Sequence, residues 1–476
     1  MSLTRRDALM SLLFGGSMLG LRSIVSGLPV KMLIDPKKAL ADMQTAQCTG
    51  NLGAAQFVIL NTSGSGDPIS CNAPGTYDDP INGGDLSSLA HPDGNLFPYM
   101  APVSLSLGPQ QKAYKAAGVW STLGPGTGNA NVLDRTCFCH VMTNTPVHPK
   151  EPEVLGLMGA TQYNEMFPSV LAKQLAACLG TLQTQPISVG ATTPSESLAF
   201  QGQALPTIPP TALATTLTNA TTGPSAGMTK LQALRDQTLN DMYQWYKDAS
   251  VTTPAQRAYI DSLVTSQSQV RGISQKQLGM LSSITKNDNA GQITAAIALI
   301  LMKVTPVVAV HFPFGGDNHA DPNFANESAQ AQSGVAAIVS LLQQLQANGL
   351  QDSVSFINLN VFGRTMGPAN TQGRQHNQCH QMSLMIGKPF RGGVIGGVTA
   401  VDSSGNPVAA GSSKFFDYGA TGIDSATGKP VIGGGDIKPI DSLASWGKTV
   451  LSAVGATSDQ VDAAITGGKV IQGALA

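Results

Sequence analysis

Short apolar runs separated by polar clusters make up much of the chain, and several runs have the length of one buried strand. The first covers residues 56–60 and leads into a polar, glycine-containing segment at 61–67. Residues 306–311 and 354–361 repeat this arrangement, and their β-branched or alternating apolar residues predict two more strands. Residues 336–342 between them have helical spacing of apolar positions. The order strand, helix, strand predicts a right-handed βαβ unit and therefore an α/β fold.

Polar clusters follow two of these predicted strands, and a third lies a little further along. Asp317 and His319 come after the strand at 306–311, Arg364 comes after the strand at 354–361, and Arg374 and His376 follow soon afterwards. In open α/β sheets, ligands bind beyond the carboxyl ends of the strands. Asp and His are ligands for divalent metals, and the forked donors of Arg suit an anion. The clusters therefore predict a metal and anion site at one edge of the sheet.

The loop after the first strand also has residues suited to chemistry. A hydroxyl on Thr62, Ser63 or Ser65 could serve as a nucleophile, because flanking glycines let the backbone approach a ligand closely. Asp67 ends this loop and offers a carboxylate. The alternative interpretation is a solvated loop rich in Ser and Gly, since no base stands nearby in the sequence.

The amino terminus indicates where the protein works. Arg5 and Arg6 precede a weakly apolar run at 11–21, which is too short to span a bilayer, and 39–41 offers small residues for cleavage. This pattern predicts a twin-arginine export signal over 1–41, a mature chain over 42–476, and a periplasmic or secreted bacterial location. The alternative is an ordinary amphipathic first helix. No later segment has eighteen uninterrupted apolar residues, so no transmembrane segment is expected in the mature chain.

Composition narrows the choice of partners. The net charge is -1 and only 12% of the residues are charged, with no basic stripe, so nucleic acid is not an expected partner. Six cysteines would allow one to three disulfides in an oxidising compartment, and the spacing leaves their pairing open. Cys137 and Cys139 have neither zinc-ribbon nor thioredoxin spacing, and we interpret them as one face of a buried strand.

Two segments in the middle of the chain differ from the rest. Residues 192–227 are rich in Thr, Pro, Ala and Ser and carry almost no charge, which predicts an irregular linker. Residues 228–285 contain apolar positions at helical spacing and a capping box beginning at Thr253, which predict a helical insertion over the sheet.

Taken in order, these motifs resemble a known family. The paired arginines, the segment 315–319 (Gly-Gly-Asp-Asn-His), the segment 362–365 (Phe-Gly-Arg-Thr), the segment 373–376 (Gly-Arg-Gln-His) and the glycine-rich turn at 392–397 resemble an uncharacterised family of exported bacterial proteins. That family belongs to the alkaline phosphatase and sulfatase superfamily. The resemblance implies an alkaline phosphatase-like three-layer sandwich with a mainly parallel central sheet.

The resemblance also implies roles for single residues. Metal ligands would be Asp67, Asp317, His319 and His376, the anion contact would be Arg364 or Arg374, and the nucleophile would be Thr62 or Ser63. The metal would be zinc, manganese or calcium, with no organic cofactor. Two positions that are commonly acidic in the family are Val361 and Gln375 here. His140 and His148 could supply further ligands if their loop folds over the site.

Two functions of different classes follow. The first is an exported metal-dependent hydrolase of phosphate or sulfate esters, with an anionic small-molecule ester as its substrate. The second is a non-catalytic exported binding or assembly protein that retains the fold and binds another protein, which the loss of two acidic positions and the low-charge, Ser- and Thr-rich surface favour.

Overall fold

The computed structural model describes residues 48–77, 86, 88–124, 132–181, 183–190, 198–200, 202–205, 207–215, 237–238, 241–246, 248, 275–312, 314, 316–367 and 370–476. The predicted export signal at 1–41 lies outside these ranges, as do most of the linker at 192–227 and most of the insertion at 228–285. The described pieces of that insertion are mainly helical.

The regular elements are numbered in chain order. The strands are β1 Phe57–Ser63, β2 Pro102–Leu107, β3 Lys112–Ala117, β4 Thr136–Val141, β5 Ile187–Val189, β6 Ala199–Phe200, β7 Gln203–Ala204, β8 Thr207–Ile208, β9 Val307–Val310, β10 Val354–Asn360, β11 Gly363–Arg364, β12 His376–Asn377, β13 Gln381–Ile386, β14 Gly393–Ile395, β15 Val398–Val401, β16 Asp417–Ala420, β17 Gly422–Ile423 and β18 Pro430–Val431. The helices are α1 Glu151–Leu155, α2 Phe167–Leu179, α3 Gln275–Ser282, α4 Asn289–Leu301, α5 Ala325–Ala347, α6 Ser442–Ala453 and α7 Ser458–Ala464.

The protein is a mixed α/β structure built on a central sheet of eight strands in the order β14-β4-β13-β10-β1-β9-β5-β8. All neighbours pair in parallel except the two pairs that involve β13, which runs against the other seven strands. The predicted α/β class with a mainly parallel sheet is therefore confirmed. Strand β8 falls inside the predicted irregular linker, so that prediction missed an edge strand too short to show a period.

Alternate side chains of β1 enter two separate apolar cores, one on each face of the sheet. Phe57 and Ile59 belong to the core that includes α4 and α5, whereas Val58 and Leu60 belong to the core that includes α2 and α6. A strand buried on both faces has no polar side to alternate with, which is why 57–60 is a continuous apolar run. Helices thus cover both faces of the sheet.

The predicted βαβ unit is present, with one difference in its connection. Strands β9 and β10 are joined through α5, but β1 lies between them and pairs in parallel with both. The crossover therefore passes over β1. As a result, the carboxyl ends of β9, β1 and β10 lie side by side, and the loops that follow them share one edge of the sheet.

A disulfide joins Cys48 to Cys178, and so ties the start of the described chain to the last turn of α2. The other four cysteines are buried thiols, and Cys137 and Cys139 lie in β4 as predicted. None of the helices in the described part of the chain combines the length and the apolar composition needed to cross a bilayer.

Candidate functional site

Three side chains from distant parts of the sequence meet at the carboxyl edge of the sheet. They are His148, from the loop after β4, Asp317, from the loop after β9, and His376, in β12. One ligand atom from each lies within 4.8 Å of the others, and no other group of three such side chains forms among the described residues. Asp317 is exposed and the two histidines are partly exposed, so solvent reaches the cluster.

Backbone carbonyls fix the orientation of both imidazoles. The Nδ1 of His148 lies 2.6 Å from the carbonyl oxygen of Gly64, and the Nδ1 of His376 lies 2.5 Å from that of Pro146. A carbonyl can only accept, so each Nδ1 carries the proton and each Nε2 keeps its lone pair. This is the usual arrangement around metal-binding histidines. Burial is the main cause that lowers the pKa of His376 below its usual value, and the hydrogen bond to the Pro146 carbonyl partly opposes this shift.

His319 and Arg364 contact this triad directly. The Nε2 of His319 lies 3.0 Å from the Nε2 of His376 and 3.0 Å from a carboxylate oxygen of Asp317. The guanidinium of Arg364 lies 3.3 Å from the same oxygen of Asp317, and donates to the carbonyls of Ser65 and Gly316. His319 therefore contacts two members of the triad, while Arg364 holds the loops after β1 and β9 together.

The ring of Phe362 forms one wall of the site. Its centroid lies 4.9 Å from that of His148 and 4.3 Å from that of His376. Gly66 lies against the edge of this ring, with a φ of +75°, and a Cβ there would come within 2.3 Å of a Phe362 ring carbon. Only glycine fits this position, because a side chain would clash with the Phe362 ring and would strain the left-handed backbone.

Replacing Gly66 by alanine is expected to lower the free energy of unfolding by about 3 kcal/mol, through left-handed backbone strain and overpacking together. Gly202→Ala is the matched control, because Gly202 also has a φ of +75° but has no atom within 4 Å of its added Cβ. Denaturant unfolding of both variants separates the two effects. Equal losses in the two variants would mean that Phe362 moves aside without cost.

The two predicted hydroxyls are adjacent in β1 but differ in their surroundings. Thr62 is buried, and its Oγ1 donates a 2.7 Å hydrogen bond to the carboxylate of Glu151. Ser63 is only partly buried, and its Oγ accepts from the backbone N–H of Ser65 at 3.1 Å. Ser63 also precedes Gly64, whose carbonyl orients His148. Of the two, Ser63 lies closer in the chain to the site and is open to solvent.

Asp67, the further ligand that the resemblance implies, does not join the triad. It is fully buried beyond the end of β1, where one carboxylate oxygen accepts from the backbone N–H of Ile69 at 2.8 Å. Burial raises the pKa of Asp67 to about 7, although Asn360, the Ile69 N–H and Arg364 partly oppose the shift. Its position apart from the triad, rather than its type of side chain, sets Asp67 aside from the candidate ligands.

Arg374, the second of the two implied anion contacts, instead belongs to a buried ion pair. Its guanidinium contacts both carboxylate oxygens of Glu327 in α5, and both side chains are 0% exposed. It also donates to the carbonyls of Thr365 and Ala90, each at 2.7 Å. The charge of Arg374 is thus neutralised inside the protein, and its donors point to protein acceptors rather than to a ligand.

His148 belongs to the triad, although the sequence offered it only as a conditional candidate. It stands alone in a Thr-Pro-Val-His-Pro segment, and no spacing marks it as a ligand. The other conditional candidate, His140, is buried in β4, where its Nδ1 lies 2.8 Å from His380 and its Nε2 lies 2.9 Å from the carbonyl of Pro74. Only the placement of the loop after β4 distinguishes these two histidines.

The two departures from the family pattern have different settings. Val361 is fully buried in the core beneath the site, where a carboxylate would lose its hydration without a partner. Gln375 is exposed, next to His376. The apolar surroundings of residue 361 therefore explain why valine rather than an acidic residue is accommodated there.

Chemically, the triad suits a transition metal. Two imidazole nitrogens and a carboxylate oxygen form a donor set typical of catalytic zinc sites, which keep further positions open for water or substrate. Calcium prefers six or more oxygen ligands, so the same set disfavours it. Compared with protein-family models and with curated proteins, the chain matches none. Its function is therefore inferred from the geometry of the site.

Proposed function

We propose that this protein is a metal-dependent hydrolase of small phosphate or sulfate esters, with one divalent transition metal held by His148, Asp317 and His376. The observation that carries the proposal is the triad itself. In both histidines Nδ1 is hydrogen-bonded to a backbone carbonyl, which leaves the lone pair of Nε2 available to a metal. His319 is the proposed fourth ligand, because it contacts two of the three.

When bound there, a divalent ion would polarise an ester oxygen and lower the pKa of a nearby hydroxyl. Ser63 is the proposed nucleophile, because Thr62 is buried and its hydroxyl donates a hydrogen bond to the carboxylate of Glu151. Arg364 is the proposed anion contact. Its Nε and Nη1 have no hydrogen-bond partner within the described residues, and buried donors of this kind usually serve a ligand or a water.

We also propose that the protein has an alkaline phosphatase-like fold and is exported through a twin-arginine signal. The eight-stranded, mainly parallel sheet with helices on both faces supports the fold. The disulfide between Cys48 and Cys178 supports an oxidising compartment, because cytosolic proteins rarely keep such bonds.

The test uses protein purified from the periplasm. We expect about one equivalent of zinc or a similar metal by elemental analysis, and hydrolysis of an aryl phosphate or an aryl sulfate that His148→Ala reduces by a factor of at least about 100. His311→Gln is the control, because His311 lies outside the triad and hydrogen-bonds Ser188. Metal-free protein that is inactive on both esters even with added zinc or manganese would overturn the proposal.

A second function, non-catalytic binding or assembly, is favoured by one observation. The side chains of Thr62 and Arg364 are completely or almost completely buried, so two groups expected to touch an ester are enclosed. A protein that binds metal at the triad but has no turnover on either ester supports this second function. Turnover that Asp317→Ala abolishes excludes it.

A further inference from the structure

A buried ion pair includes Arg374, which lies two residues before the proposed ligand His376. Arg374 and Glu327 are both 0% exposed, and the amide of Asn72 donates to Glu327 at 2.5 Å. On its other face, the guanidinium lies 4.2 Å from the centroid of the Phe324 ring. Burying two charges is costly, and replacing such a pair with apolar side chains often leaves a protein equally stable. Stability alone therefore does not explain why this pair is buried.

The contacts of Arg374 connect the segments that carry the proposed ligands. Its backbone N–H donates at 3.0 Å to the carbonyl of Asn318, between Asp317 and His319. Its side chain donates to the carbonyl of Thr365, next to Arg364. Arg374 itself lies two residues before His376. Arg374 thus contacts both the loop after β9 and the start of the segment after β11. It also lies close to the start of β12 in the chain.

Gly373, next to Arg374, allows the segment before His376 to approach the Asp317–His319 loop closely. Gly373 has a φ of +126°, and a Cβ there would come within 2.3 Å of the carbonyl oxygen of His319. The backbone at 373 and 374 therefore lies directly against the Asp317–His319 loop. Glu327 fixes the position of Arg374 from α5, a helix of 23 residues packed in the core on one face of the sheet.

We propose that the Arg374–Glu327 pair positions the metal site, by setting the distance between the loop that carries Asp317 and His319 and the strand that carries His376. This inference rests on the proposed function, since it assigns a supporting role at the same site. Neither residue is a member of the triad, so the role assigned to the pair is positioning. Supporting contacts of this kind typically change metal affinity by a factor of about 10 to 100 when they are removed.

The deciding experiment replaces the pair with apolar side chains. In the double variant Arg374→Met/Glu327→Met, no buried charge is left unpaired, so the fold is expected to persist, while the donors to Thr365 and Ala90 are lost. Dissociation constants for Co²⁺ and the visible absorption spectrum of the cobalt protein report affinity and ligand geometry. We expect an affinity about 10 to 100 times weaker than that of the wild type and an altered spectrum.

The matched control is Lys448→Met/Asp462→Asn. It removes another ion pair with a largely buried cation, in which the lysine Nζ lies 2.6 Å from the carboxylate, between α6 and α7. This control is expected to keep wild-type affinity and spectrum. A folded Arg374→Met/Glu327→Met protein with the same affinity and spectrum as the wild type would refute the positioning role.

Two further outcomes are informative. If the wild type itself binds no Co²⁺, the proposed function fails, and the positioning role fails with it. If the double variant does not fold, Asn72→Leu replaces it, because this change removes only the third hydrogen bond of Glu327. A rise in the dissociation constant of about threefold or more then supports the proposal, and an unchanged constant overturns it.

Discussion

Replacing His376 by alanine is expected to weaken Zn²⁺ binding by a factor of at least about 100, because it removes one member of the proposed metal-binding triad. His376 is the central side chain of the site, with its Nδ1 on the carbonyl of Pro146 and its Nε2 3.0 Å from His319. Alanine would leave the Pro146 carbonyl and the His319 ring in place, but it would remove the Nε2 lone pair that His376 offers to the metal.

Thermal or denaturant unfolding measures this effect independently of catalysis. Zn²⁺ at about 100 times its dissociation constant is expected to raise the free energy of unfolding of the wild type by about 2.7 kcal/mol. The same concentration should leave His376→Ala almost unchanged. Gln375→Ala is the control, since Gln375 is the exposed neighbour of His376 and lies outside the triad. Equal stabilisation of His376→Ala and the wild type would show that zinc binds elsewhere.

Replacing Asp67 by asparagine is expected to change how the free energy of unfolding depends on pH. Burial raises the pKa of Asp67 from 3.8 to about 7, so between these values the folded protein holds a proton that the unfolded chain has released. The stability contributed by this group is present below pH 3.8 and is lost as the pH rises to 7. One pKa unit corresponds to about 1.4 kcal/mol, so the total loss is about 4 kcal/mol. Asparagine carries no charge at any pH and avoids this loss.

Urea unfolding of the wild type and Asp67→Asn at pH 4, 6 and 8 tests the prediction. The variant should gain stability relative to the wild type as the pH rises, by about 4 kcal/mol in all. Asp417→Asn should show a smaller change of the same sign, complete near pH 6, because burial raises the pKa of Asp417 to about 6. Parallel curves for the wild type and Asp67→Asn would contradict the raised pKa.

Adding zinc to the same experiment addresses the role of Asp67. If Asp67 lies apart from the ligands, saturating metal should leave the pH dependence of the wild type unchanged. If zinc removes the difference between the wild type and Asp67→Asn at high pH, then Asp67 is charged and ligated, as the family resemblance implies. The two results distinguish a metal site without Asp67 from one in which Asp67 is a ligand.

The sequence predicted the helices and strands whose apolar residues recur with a clear period. It did not predict the elements that are too short to show such a period. The strands predicted at 306–311 and 354–361 correspond to β9 and β10, and the helix predicted around 336–342 lies within α5. Strand β8 has two residues, too few to show any period, and its place at the sheet edge comes from pairing with β5. Short edge strands are defined by their neighbours rather than by their own residues.

The site shows the same division between local pattern and tertiary placement. Asp317 follows one predicted strand and His376 lies a little beyond the next, so the rule that ligands gather beyond strand ends was enough to propose them. His148 and His140 belong to one segment and look equally suited as ligands, yet only His148 reaches the triad. The difference arises because β4 ends at the same sheet edge as β10, while His140 points into the interior within β4.

The sequence by itself determined the α/β class, the buried strands and the polar residues at their carboxyl ends, because these depend on local periods and on the chemistry of single side chains. The tertiary structure alone decided which of those residues meet. It placed Asp67 in the interior and Arg374 against Glu327, while it brought His148 to Asp317. The physical reason is that the order of the strands in the sheet sets these distances, and that order depends on packing between segments far apart in the chain.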